Sequence, residues 1–172
     1  MNWIVAGVAA LAAFDVAQRC RQLRDATAEQ RLVVGVGAFA VAIALAAVAT
    51  PLLDALDISA PNMQIGAGIV LGVYSIVALV TWDDAAAPAA LYRGLVPLLF
   101  PIVLTPVVGV VVLAVAARNG MPVPTLASAV AAALLAWPAA SASVGRRPIR
   151  MASAAAGVVA SVAMIVDGAF AV

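Results

Sequence analysis

From residue 32 to residue 53 the chain carries no charged side chain, and about 20 mostly apolar residues are what a helix needs to cross the hydrocarbon of a bilayer. Inside lipid the backbone must satisfy its own hydrogen bonds, so such a stretch is restricted to a helix or a closed barrel. The long Leu/Ala/Val runs lack the alternation at every second residue that a barrel requires. The whole chain repeats the pattern: of 172 residues, 66% are hydrophobic and 10% charged, against roughly 45–50% apolar and about 25% charged in a soluble domain. The mean hydropathy is +1.17. An all-α, polytopic membrane protein is predicted.

Polar and Pro/Gly punctuation divides the chain into six spans, at residues 2–18, 32–53, 62–82, 94–117, 123–144 and 151–172. An arginine-rich segment at residues 19–31 follows the first, and Thr27 and Gln30 have the spacing of a capping box that opens the second. Ser59-Ala60-Pro61-Asn62 opens the third, and Arg118-Asn119-Gly120 stops the fourth. Gly145-Arg146-Arg147-Pro148 breaks the fifth from the sixth. The first span is expected to be retained, because its cations follow the apolar stretch, the reverse of a secretory signal. The reading is one integral membrane domain over 1–172, with three-helix halves at 1–82 and 94–172.

The chemistry that this composition excludes is broad. There is no histidine and no lysine, and Cys20 is the only cysteine. Histidine-based triads, histidine or multi-cysteine metal centres, haem on histidine and internal disulfides are all removed. No cofactor, metal site or catalytic residue is predicted, and the chain is not expected to be an enzyme. A net charge of +1 gives no basis for nucleic-acid binding. Expected partners are the lipid bilayer, a small neutral solute, and further copies of the chain or a larger membrane complex.

Arginines accumulate in cytoplasmic loops. The first, third and fifth loops hold Arg19, Arg21, Arg24, Arg31, Arg93, Arg146, Arg147 and Arg150, whereas the second and fourth hold Arg118 alone. The odd loops should be cytoplasmic and both termini outside. Trp82 and Tyr92 then lie near the inner interface, where amphipathic rings prefer to sit.

Three spans in each half would make the halves repeats inverted across the membrane, an arrangement typical of secondary transporters, whose sites lie where paired helices are interrupted near midplane. The fourth span carries Pro97, Pro101 and Pro106. As interior prolines, Pro101 and Pro106 would leave the carbonyls of Pro97 and Ile102 without helical donors. Pro101, Ile102, Thr105 and Pro106 are therefore candidate substrate- or ion-binding positions. Asp15 in the first span is another, since an intramembrane carboxylate is costly and a functional hypothesis by default. Its spacing from Arg19 also allows an interfacial i,i+4 ion pair. Asp167 reads as a frayed outer helix end. Gly66, Gly68 and Gly72 are assigned to helix packing, with Gly68 and Gly72 at GxxxG spacing.

The stretch Leu56-Asp57-Ile58-Ser59-Ala60-Pro61-Asn62-Met63-Gln64-Ile65-Gly66-Ala67-Gly68-Ile69-Val70-Leu71 resembles the entry to the third helix of the MarC family of bacterial membrane proteins. Val96-Pro97-Leu98-Leu99-Phe100-Pro101-Ile102-Val103-Leu104-Thr105-Pro106 is similar to that family's proline-rich fourth helix. The run from Arg150-Met151 to Ile165-Val166-Asp167-Gly168 resembles its last helix. The resemblance spans essentially the whole chain and implies a six-helix carrier of small solutes, such as small neutral amino acids, in the bacterial inner membrane, related to LysE-type exporters. Two departures stand out. Phe14-Asp15-Val16-Ala17-Gln18-Arg19-Cys20 replaces the family's Asn-Pro break, and Thr105 and Val107 stand where the family has glycines. They sustain an alternative: a non-transporting, structural subunit of a larger membrane complex.

Overall fold

The computed structural model describes residues 1–23, 26–80, 105–137 and 147–172. Among them the chain is helical throughout: α1 (Trp3–Phe14), α2 (Val16–Gln22), α3 (Ala28–Ala55), α4 (Ala60–Val80), α5 (Pro106–Asn119), α6 (Pro122–Ala136) and α7 (Arg147–Ala169). Four stretches are long and apolar enough to span a membrane: the combined Trp3–Gln22, α3, α4 and α7. The helices α5 and α6 are shorter apolar helices. The remainders of the fourth and fifth predicted spans fall in residues 81–104 and 138–146, outside the described residues.

Local sequence sets the helix ends. The Thr27 hydroxyl accepts from the Gln30 amide at 3.2 Å, and Gln30 Oε1 accepts from the Thr27 amide at 2.9 Å. This is the capping box legible in the sequence, and it satisfies two donors that a helix start otherwise leaves free. At the far end of α3, Asp57 adopts φ 53° and the Ile58 amide reaches back to the Leu53 carbonyl at 3.0 Å, the bonding of a Schellman stop. Gly120, at φ 77°, ends α5 where the sequence predicted a stop. Helix ends reach beyond the predicted spans. The first span continues to Gln22, α3 begins at Ala28 and α7 at Arg147, so Arg19, Arg21, Arg31, Arg147 and Arg150 belong to helices rather than to loops.

Small side chains govern the packing. The first span is buried over 61% of its apolar window, against 33% for α3, α4 and α7, so it runs through the centre. Ala6, Ala9, Ala10 and Ala13 are fully buried, and Val108, Val111, Val112 and Val115 of α5 join them in the core. Around this pair α4 lies on α7 and α3 on α6. The α4–α7 pair is antiparallel, since Gly168 lies against Ile65, Gly68 against Ser161 and Ile165, and Gly157 against Ser75. A β-carbon on Gly68 would come within 2.9 Å of the Ser161 carbonyl oxygen, and one on Gly72 within 2.9 Å of its hydroxyl. Close backbone approach explains both glycines. Gly66 is exposed and faces open space, so the packing role expected for it does not apply. Outward, Ile69, Val73, Ile76, Val159, Val162 and Val166 form an exposed apolar surface, as lipid contact requires.

Candidate binding site at the break in the first span

Between α1 and α2 the helix is interrupted by a single residue. Asp15 adopts φ 42° and ψ 53°, the left-handed region, which costs a residue with a β-carbon about 1–2 kcal/mol. Aspartate is among the side chains that tolerate it, because its short polar group bonds locally. Here Asp15 closes α1, its amide donating to the Ala12 carbonyl at 3.0 Å. It also caps α2, its Oδ1 accepting from the Gln18 amide at 3.3 Å. One residue thus does the work of the Pro/Gly break that the sequence lacks.

The second carboxylate oxygen is held from α4: the Tyr74 hydroxyl donates to Oδ2 at 3.1 Å. Asp15 is only 5% exposed. One turn further along, Arg19 is also 5% exposed, and its Nη1 donates to Gln22 Oε1 at 2.9 Å. Arg150, in the first turn of α7, is equally buried. The α2 helix that carries Arg19 packs against the α7 helix that carries Arg150. The Nε of each arginine has no hydrogen-bond partner among the described residues. Ala12, Ser75 and Gly157 close the floor, where α1, α4 and α7 meet.

The interfacial Asp15–Arg19 ion pair does not form, whereas the Met1 amino group and Asp167 do pair, 3.1 Å apart. The reason is geometric. The i,i+4 relation brings side chains together only on a continuous helix, and the left-handed turn at Asp15 redirects its carboxylate to the Gln18 amide and to α4.

In the fourth span, Thr105 caps α5, its hydroxyl accepting from the Val108 amide at 3.4 Å, and Pro106 occupies the first turn. Pro106 is therefore not an interior proline; its missing N–H falls where a helix start has no acceptor for it. No hydrogen bond joins Thr105 to Asp15. Pro97, Pro101 and Ile102 lie outside the described residues. Tyr74, Arg19 and Arg150 were not candidates in the sequence. The available signals were a tyrosine inside an apolar span and arginines within reach of apolar helix starts.

A second polar cluster occupies the opposite end of α4 and α7. Gln64 is fully buried and its Nε2 donates to Asp167 Oδ2 at 2.9 Å and to the Met164 carbonyl at 3.1 Å. Asn119 Nδ2 donates to the Met1 carbonyl at 3.0 Å. Asp167 is thus held within α7 rather than frayed. Cys20 is buried, its thiol directed at the Leu134 carbonyl of α6 at 3.8 Å. Between α3 and α6 runs an open groove lined by Leu32, Val36, Phe39 and alanines, without a polar side chain to orient a solute. Among the described residues no three metal-ligating side chains converge. Comparison with known protein families, characterised proteins and solved structures returns no match.

Proposed function

We propose that the protein is a secondary carrier of small polar solutes, a divergent relative of the MarC-type carriers, with its substrate site at the Asp15 break. The observation that carries this reading is a buried carboxylate on a left-handed residue inside a membrane-spanning stretch, held from a second helix by Tyr74. Interrupted helices with polar groups at depth are where secondary transporters bind substrate.

Two further observations support six spans in two inverted three-helix halves. Exchanging the halves turns the α1–α7 contact into α5–α4 and the α1–α6 contact into α5–α3, and all four occur alongside the α1–α5, α3–α6 and α4–α7 pairs. Asp15 caps α2 and Thr105 caps α5 in the same manner, each accepting from the amide three residues on, at nearly the same spacing that separates the starts of α4 and α7.

The carrier reading is tested by flux in reconstituted vesicles, using counterflow of small amino acids and small organic acids with and without a proton gradient. Wild-type protein moves solute, and Asp15→Asn loses most of that flux while folding normally, because asparagine also tolerates the left-handed conformation. Absence of flux with every solute leaves the accessory-subunit alternative in its place. The arginine distribution orients the carrier with both termini outside a bacterial inner membrane. A Thr27→Cys, Cys20→Ser protein is accordingly expected to resist impermeant thiol reagents in intact cells and to react once the membrane is opened.

A further inference from the structure

Asp15, Arg19 and Arg150 lie where α2 packs on α7, all three about 95% withdrawn from the surface. The carboxylate is already occupied, with Oδ1 on the Gln18 amide and Oδ2 on the Tyr74 hydroxyl. Neither arginine pairs with it within 4.0 Å. Arg19 spends one donor on Gln22, and its Nε, like that of Arg150, has no partner among the described residues. Buried charges are retained in proteins when something compensates them.

We infer that Arg19 and Arg150 bind the carboxylate of a small organic monoanion. A guanidinium offers its donors in a planar fork that matches the two oxygens of a carboxylate. The Tyr74 hydroxyl is already committed to Asp15 and fixes the rim of the site rather than competing for the ligand. The charge count separates this ligand from a zwitterion. Two guanidinium groups and the single carboxylate of Asp15 leave one positive charge uncompensated, which a monoanion neutralises and a zwitterionic amino acid does not. A lipid headgroup is disfavoured by the burial of both arginines within protein. The substrate class rests on the carrier reading of the same site; binding of the anion does not.

The test is thermal unfolding and titration calorimetry of the full-length protein in detergent with sodium lactate, alanine and sodium chloride at matched ionic strength. Lactate is expected to bind and to raise the unfolding temperature, with alanine and chloride weaker. Arg150→Gln is expected to weaken lactate binding by about tenfold or more, the range for losing a hydrogen bond to a charged group, and Arg150→Lys by less. If Arg150→Gln fails to fold, Arg19→Lys serves the same purpose, since it keeps the charge and loses the fork. Equal stabilisation by chloride, tighter binding of alanine, or lactate affinity indifferent to both arginines overturns the proposal. Lactate binding without lactate flux in vesicles removes the carrier reading and leaves the anion site standing. Flux of another solute without lactate binding does the opposite.

Discussion

At one end of the α4–α7 pair, Gln64 and Asp167 meet Met1 and Asn119; at the other, Tyr74 holds Asp15 at the break, and α2, with Arg19, packs on α7, with Arg150. Both clusters are built on the same two antiparallel helices, and both contain buried polar atoms without partners. They differ in kind. At the first end the carboxylate has its cation within 3.1 Å, and the unpaired atoms are neutral amide oxygens, Gln64 Oε1 and Asn119 Oδ1. At the second end the unpaired atoms belong to two cations. An unpaired neutral acceptor costs about 1–3 kcal/mol, and a charged one costs more. A fold can carry the former as an ordinary packing defect. The latter calls for a compensating charge, which is why we place the proposed anion at the second end and not at the first.

The largest expected effect destroys both ends together. Gly157 lies where a β-carbon would overlap the Ser75 hydroxyl and crowd Ala12, so Gly157→Val must separate α4 from α7 or displace α1. Overfilling a packed core costs about 1–3 kcal/mol and occasionally more. A sharp fall in unfolding temperature and in the yield of monodisperse protein in detergent is expected; a Gly157→Val protein of unchanged stability would refute the close three-helix contact.

Next in size is a change that separates the two ends. Gln64→Leu removes a donor from Asp167 and Met164 together with the unpaired Oε1. Losing a hydrogen bond to a charged group costs about 1.5–3 kcal/mol, partly offset because the orphaned oxygen leaves as well. Stability falls while solute flux per folded molecule is preserved, the reverse of the Asp15→Asn pattern. Equal loss of flux in both variants would erase the distinction between the ends. The smallest effect is expected at Pro106. As a first-turn residue capped by Thr105, its replacement by alanine should cost below about 1 kcal/mol, mainly through greater freedom of the unfolded chain. Chemical denaturation in mixed micelles would measure it, and a loss of several times that size would mean that the proline serves more than a helix start.

How much of this was legible in the sequence follows from which signals are local. The Thr27–Gln30 box, the Gly120 stop and the prolines opening α6 act within one turn of their own position, and each helix end lies close to where those residues place it. The α4–α7 seam was legible at Gly68 and Gly72 but not at Gly157 or Gly168, which lack the GxxxG spacing. The Asp15 break was not legible, because an aspartate in the left-handed region leaves no composition signal; proline or glycine would have. The Asp15–Arg19 pair, which depended on a continuous first helix, failed with it. The burial of Arg19 and Arg150 was not legible for a different reason. A count of loop cations registers an arginine within a turn of an apolar span in the same way whether its head group reaches water or turns into the bundle, and that choice is made by neighbouring helices.

Cys20 is the chain's single thiol, and it sits in α2, immediately beyond the break, with its sulfur against the α6 backbone. Alkylation therefore requires α2 to swing away from Leu134, so the rate of modification in the native protein reports how often that short segment opens, without any engineered label. The left-handed joint at Asp15 makes α2 a lever seven residues long, and nature has placed one chemically addressable atom on it.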